Sequence, residues 1–314
     1  MKRFYPILAI ALALPMHPLS SHGQTSSLAD TELSGVLEVG YTRAMFKGVD
    51  VADAGAALRV WVKRIIERTG EEAGSETVVL EDAAHVVHAV RDREVDIVTM
   101  LTEEYLQVRD QVGLTPLAVT AHGDGVGHRI SLLARKDGRI DGLRQLAGCD
   151  LVVDTGGQGR GPFRWLDVLL SDSGLPVTAD LLGSVRTVSR ASRAVLPVFF
   201  GQADVCLVRS GSYATMVELN PQLGSELVVL ATSPWLCYAI VCARTAVFEL
   251  RLKGLLAESL ISLHEDPEGR QLLTLFQVDR LLPFDPNHLQ AFTTLLGRHR
   301  ALTQGMASPR RTAQ

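Results

Sequence analysis

The stretch Leu151–Trp165, LVVDTGGQGRGPFRW, restricts the possible folds of this chain more than any other. Leu151, Val152 and Val153 form a short branched apolar run of the kind a buried strand carries. Thr155–Gly161 is dense in glycine, and Pro162 suits the first turn of a helix, where its missing N–H has no bond to make. Phe163, Leu166, Leu169 and Leu170 give that helix one apolar face, and Gly174 ends it. Backbone N–H groups and the helix dipole converge where such a loop meets such a helix, and both favour an anion. A tight turn that needs glycine for its backbone angles has the same composition. The stretch by itself leaves both readings open.

The same alternation recurs along the chain. Strands are expected at Val36–Tyr41, Thr77–Leu80, Val95–Met100, Thr115–Thr120, Ile130–Arg135, Leu182–Val188, Asp204–Val208, Leu227–Ala231 and Tyr238–Ala243. Helices are expected over Asp53–Thr69, Ala83–Arg93, Glu103–Asp110, Ser189–Phe200 and Tyr213–Leu219, with Ser189 as an N-cap. Thr42–Asp50 reads as a loop with Tyr41, Met45 and Phe46 exposed, and from Thr245 the chain reads as three helical runs ending at Leu302. Alternation of this kind predicts an α/β fold. The segment His122–His128, HGDGVGH, and the region of Pro234 read as two chain crossings. They predict a second lobe, residues 123–233, inserted into a first lobe made of residues 34–122 and 234–303, with the helical ending packed back on the first lobe. Residues 304–314 read as a disordered tail.

Hydrophobic residues make up 46% and charged residues 21% of the chain, which suffices for a substantial core. Lys2 and Arg3 followed by the apolar run Ile7–Leu14 read as a signal peptide over residues 1–23, cleaved before Gln24. The expected location is therefore periplasmic. Without that leader the chain carries 29 basic against 35 acidic residues, a balance that points away from nucleic acid and anionic membranes. An anion site would have to be local. Cys149, Cys206, Cys237 and Cys242 match no zinc spacing. Cys237 and Cys242 lie an odd number of residues apart, so a regular strand would put them on opposite faces and forbid a disulfide. The cysteines read as small buried hydrophobes.

Four blocks carry a resemblance. They are REVDIVTMLTEEY, RISLLARKDGRIDGLRQLAGCDLVVDTGG, RAVLPVFFGQADVCLV and SLHEDPEGRQLLTLFQVDRLLP, in that order between residues 93 and 283. Together they resemble the substrate-binding components of ABC importers for phosphate, phosphite and phosphonates, members of the type II periplasmic-binding-protein superfamily. The resemblance implies two lobes, each a mixed sheet flanked by helices, with a ligand cleft between them. It places Tyr41 and Tyr105 on the first-lobe side of that cleft, and the loop Thr155, Gly156, Gly157, Gln158, Gly159 and Arg160 on the second-lobe side. Ser189 and Arg190 open the next helix, and Ser210 and Tyr213 follow a strand end where α/β ligands gather.

The chain departs from the family's pattern at three of these places. The usual serine-threonine-serine-glycine run is replaced by Gly156–Gly159, with Thr155 the one hydroxyl nearby. A glycine-histidine-histidine segment is replaced by Val188-Ser189-Arg190, and a tyrosine after the crossing by His128. Backbone N–H groups remain, and Gln158, Arg160 and Arg190 offer donors in place of the hydroxyls.

The glycine loop has neither the lysine and hydroxyl of a P-loop nor the dinucleotide spacing, and the chain has no G-x-S-x-G elbow. His85 and His88 share a helix face without an evident third ligand. No enzyme activity, metal or cofactor is therefore expected. The expected partners are a small anionic solute and the permease and ATPase of an ABC importer, with the protein a monomer. A membrane sensor as the recipient, or an exported enzyme, are the alternatives.

Overall fold

The computed structural model describes residues 36–46, 55–56, 58–60, 62–63, 74–156, 159–247 and 255–307. The signal peptide expected over residues 1–23, Gly157 and Gln158 lie outside the described residues. Of the helix expected over Asp53–Thr69, the described positions 55–56, 58–60 and 62–63 are helical. Leu58 and Val62, one turn apart, are buried there.

Two mixed sheets organise the chain. The first has seven strands in the order β12-β4-β11-β3-β1-β2, with β5 on the far end of β4. Its strands are β1 (Val36–Thr42), β2 (Gly74–Leu80), β3 (Ile97–Leu101), β4 (Leu114–His122), β5 (Gly125–Val126), β11 (Ala239–Arg244) and β12 (Arg280–Pro283). β1 pairs in parallel with β2 and β3, while β11 runs antiparallel to β3 and β4. The second sheet has the order β10-β6-β9-β7-β8. It contains β6 (Ile130–Arg135), β7 (Asp150–Asp154), β8 (Ser184–Val188), β9 (Val205–Arg209) and β10 (Leu227–Thr232). β7, β8 and β9 are parallel, and β6 is antiparallel to β9.

Most central strands are buried on both faces, which is why they read as near-continuous apolar runs. The two-residue period still sorts their side chains. Leu151 and Val153 of β7 join one core with Leu132, Val205 and Leu207, and Val152 joins the opposite one with Leu133, Cys206 and Val208. In the first sheet, Val241 and Ala243 pack with Leu37, Val39 and Tyr41, and Ile240 and Cys242 with Val98 and Met100.

Helices cover these faces. α1 (Ala83–Arg91) and α2 (Thr102–Val108) flank the first sheet. α3 (Gly161–Asp172), the short α4 (Thr178–Leu181), α5 (Ala191–Phe199), α6 (Ser210–Leu219) and α7 (Pro221–Glu226) belong to the second. Near the end come α8 (Leu255–Ile261), α9 (Pro267–Leu275) and α10 (Gln290–Ala307).

Several expectations change. Met45 and Phe46 are buried, because the segment after β1 is a 3-10 turn whose apolar side chains join the first core. α8 and α9 pack on the first sheet through Leu256, Leu260, Leu272 and Leu273. The last helix does not follow them. α10 places Leu295 in the second-sheet core and lies along α3, where His299 Nε2 stands 3.2 Å from Asp167 and Arg298 pairs with Asp172. The helix also continues to Ala307, past its expected end at Leu302 and into the expected tail. β12, α4 and α7 lacked a periodic pattern long enough to read.

The crossings are paired with each other. His128 and Leu236 form an isolated antiparallel bridge, with N–H to O distances of 3.0 and 2.9 Å. The Ile130 N–H donates to Ser233 Oγ at 2.8 Å. Gly127 has φ +74°, and a Cβ there would stand 1.8 Å from the Leu236 carbonyl oxygen, so only glycine fits. All four cysteines are buried and free. Cys237 precedes β11, so strand alternation does not govern it, and it shares one core with Cys242 without bonding to it.

Candidate functional site

The carboxyl ends of β1, β3 and β4 and the start of β11 form one edge of the first sheet. The carboxyl ends of β7, β8 and β9 form one edge of the second. Among the described residues, two side-chain contacts join the halves at these edges. Glu103 on α2 receives a bidentate pair from Arg164 on α3, at 2.6 and 2.7 Å. Arg209, the last residue of β9, donates from Nη2 to Gln277 Oε1 at 2.5 Å, just beyond α9. A cleft bounded by strand ends from both sheets is where α/β folds gather ligands.

On the second-sheet side the loop after β7 is tied to the end of β8. The Thr155 N–H and hydroxyl both donate to the Val188 carbonyl, at 2.9 and 3.3 Å. The buried Asp154 carboxylate accepts the Gly156 N–H at 2.9 Å. A Cβ on Gly156 would stand 2.8 Å from the Ser189 carbonyl oxygen, and Gly159 has φ +55°, so glycine is required at the first by close approach and at the second by backbone angle. The Gly156 carbonyl accepts from Arg209 Nη2 at 3.2 Å.

The other expected residues divide. Arg160 is exposed at the N-cap of α3, and Ser189 and Arg190 are exposed beside the loop. Arg190, not Ser189, is the N-cap of α5, and it makes no side-chain cap bond. Ser210 Oγ lies 2.7 Å from Ser131 Oγ, and its N–H donates to the Arg129 carbonyl, so it already serves the junction of β6 and α6. Tyr213 donates its hydroxyl to the Leu223 carbonyl at 3.1 Å, a bond between α6 and α7.

The two tyrosines expected from the first lobe are core residues. Tyr41 stacks on Phe276 with centroids 6.3 Å apart and meets Phe46 at 6.1 Å. It lines an apolar cavity of about 60 Å³ together with Thr99, Thr120 and Leu260. Burial pushes its phenol far above the ordinary value. Tyr105 packs edge-on against Phe284 in the opposite core. His128 is buried with its ring 4.9 Å from that of Tyr238.

Residues the sequence reading passed over take their place. Glu104 accepts from the Thr42 hydroxyl at 2.6 Å and from the Leu101 N–H at 2.9 Å, joining the ends of β1 and β3. Burial raises its carboxyl, and those two bonds oppose the rise. Burial likewise raises Asp154, opposed by the Gly156 N–H and the Arg209 charge. The Tyr238 phenol is pushed up to about 12 by burial, with Arg209 acting against the shift and Glu104 with it. Arg209 therefore sits among Asp154, Tyr238 and the first-sheet edge. One signal for it was available, a lone charge ending the buried strand VCLVR. Glu103 and Glu104 stand inside the TEEY block, ahead of Tyr105.

Gln277 carried no sequence signal. It has φ +55°, at the position after the α9 C-cap where glycine is usual. The Gln277 and Val278 N–H groups close the helix end on Thr274 and Leu273. A non-glycine residue there costs about 1 kcal/mol. Among the described residues no group of three or more His, Cys, Asp or Glu could hold a metal ion.

Residues 51–289 match the family described as the phosphonate periplasmic substrate-binding protein of ABC transporters. The chain belongs to that family. The family is a substrate-binding transporter component and not an enzyme, its members are periplasmic, and ligand capture for an ABC importer is the function it carries. No curated protein matches this sequence significantly. Solved structures share the two-lobed binding-protein fold. A Xanthomonas citri protein bound to ATP is 18% identical with a TM-score of 0.61, covering 86% of this chain and 99% of its own. A binding protein component of an ABC phosphonate transporter from Pseudomonas aeruginosa is 17% identical with a TM-score of 0.58, covering 87% and 89%. A Prochlorococcus marinus protein in complex with methylphosphonate is 13% identical with a TM-score of 0.56, covering 86% and 99%.

Proposed function

We propose that this binding protein is exported with cleavage of residues 1–23 and captures a small oxyanion between its two lobes as a monomer. The observation that carries the reading is the position of the glycine loop. Thr155 and Gly156 stand at the carboxyl end of β7, with Gly156 against the Ser189 carbonyl and the Arg209 guanidinium, which also reaches Gln277 of the other half. Backbone N–H groups, the Thr155 hydroxyl and the neighbouring Ser189, Arg190 and Arg160 would hold the ligand there without the family's hydroxyl run. Closure about the paired crossings would follow from ligand contacts to both lobes. The closed form would be handed to a permease and ATPase, with a membrane sensor as the alternative recipient.

Thermal unfolding against phosphate, methylphosphonate, ethanesulfonate and small carboxylates tests this. A ligand present at about 100 times its dissociation constant adds roughly 2.7 kcal/mol to stability, which raises the midpoint by several degrees. A panel in which no anion moves the midpoint overturns the reading.

A further inference from the structure

We propose that the first lobe holds a second binding site, buried against its sheet, for a small uncharged and largely apolar molecule. The site does not rest on the oxyanion reading. Glu104, Tyr238, Gln277 and Arg209 of the junction are not part of its wall.

The site is the apolar cavity of about 60 Å³ that Tyr41 lines. Ile97 of β3 and Val241 of β11 form its wall on the sheet side. Leu260 of α8 and Leu273 of α9 form it on the helix side, with Phe276, which stacks on Tyr41, beside them. Protein interiors are packed about as densely as organic crystals and hold few voids larger than one water. One water needs about 10–15 Å³ of such space, so the cavity has room for about four to six non-hydrogen atoms. The side chains around it forgo dispersion contacts that an occupant would restore.

The wall decides what the occupant is. Apart from Tyr41, Thr99 and Thr120, every lining side chain is a hydrocarbon or the thioether of Met45. No charged side chain lines the cavity, so an ion entering it would lose its hydration without gaining a partner. Water is poorly held for a related reason, since a buried water takes about two to four polar partners. Thr120 Oγ1 already accepts the Ala239 N–H at 3.4 Å. Tyr41 is 5% exposed, and burial alone raises its phenol, with no charged or hydrogen-bonding neighbour acting on it. Its hydroxyl can meet one polar atom of the occupant. The matching chemistry is a short or cyclic hydrocarbon of about four to six carbons that carries at most one hydroxyl or carbonyl.

The two sides of the cavity also differ in how they can open. On one side lie paired strands of the first sheet. On the other lies a layer of short elements, α8 of 7 residues, the 3-10 turn Ser262–Glu265 and α9 of 9 residues. Short helices depend on tertiary packing for their stability and open locally at less cost than central strands. The occupant therefore enters through the helix layer.

Methyl-resolved NMR of the full chain, titrated with cyclopentane, tests the proposal. Saturable shifts are expected at Ile97, Val241, Leu260 and Leu273, with Leu132 and Leu207 of the second-sheet core unmoved. Thermal unfolding should show a higher midpoint with cyclopentane present. Butylammonium, of similar size but charged, and naphthalene, which is too large, should leave the first-lobe methyls unmoved. Val241→Ile adds one methylene to the wall. It should keep or raise the midpoint without ligand and weaken cyclopentane roughly 10- to 200-fold, the order for one methylene of misfit in an apolar pocket. If Val241→Ile fails to fold, Leu273→Val, which widens the cavity by one methylene, should move the preference from cyclopentane towards methylcyclohexane. No saturable shift in the wild type, shifts spread equally over both sheet cores, or affinity unchanged in the folded variant overturns the proposal. Each of those outcomes leaves the capture of an oxyanion standing, because no anion enters the test.

Discussion

Asp154 shows how one residue joins fold to function. Its carboxylate holds the Gly156 N–H at 2.9 Å and so shapes the turn after β7, yet it is 2% exposed and burial raises its carboxyl above the ordinary value of 3.8. The sign of the consequence follows from linkage. Below the unfolded value both states are protonated and nothing is lost. As pH rises towards the raised folded value, the unfolded chain ionises first and stability falls, reaching a constant deficit above it. Asp154→Asn keeps an acceptor for Gly156 and cannot ionise. Urea unfolding should therefore show the variant gaining on the wild type as pH rises from below 3.8, then staying level towards neutrality. A difference that grows towards acid instead would refute the account of Asp154.

At this scale the sequence was legible only where chemistry is local. The glycine requirement at Gly156 and Gly159 could be read from the loop. The place of Arg209 could not, whereas Arg160 and Arg190, which stand at helix starts in sequence, are exposed. Arg209 acquires its neighbours only through the parallel pairing of β7 with β9 and through a contact 68 residues away.

At the scale of elements, the α2–α3 clasp is the contact most open to measurement. Arg164 and Glu103 are 16% and 31% exposed and meet through two hydrogen bonds. Such bidentate geometry lifts the pair above an ordinary surface ion pair. A double-mutant cycle with Glu103→Gln and Arg164→Gln should give a coupling of about 1 kcal/mol in urea unfolding, declining as salt is added. A coupling indistinguishable from zero would mean that the clasp does not hold the halves together.

The strands of the centre were readable because both faces are buried and flanking glycines stop the runs, as at β7 and β9. β12 was not, since RLLP is a four-residue edge strand ending in proline. The place of α10 was hidden for a different reason. An apolar helix face does not by itself name its core, and the partners of α10, Asp167 and Asp172 of α3, lie more than 120 residues away in sequence.

At the scale of the whole molecule, the α/β alternation and the family blocks were enough to foresee two mixed sheets and a transport role. What they could not supply was which side chains meet where the sheets' edges approach, since each sheet contributes strand ends far apart in sequence. Thr42, Glu104, Tyr238 and Gln277 come from one side of the junction, and Asp154, Gly156 and Arg209 from the other. Capture between halves means that a ligand must order both edges at once.

Amide hydrogen exchange with and without a bound anion from the thermal panel measures that directly. The account predicts slowed exchange in residues 154–161 and 209–211 of the second half together with residues 101–105 and 277–279 of the first. Slowing confined to one half, or found only away from these edges, would contradict capture between the lobes.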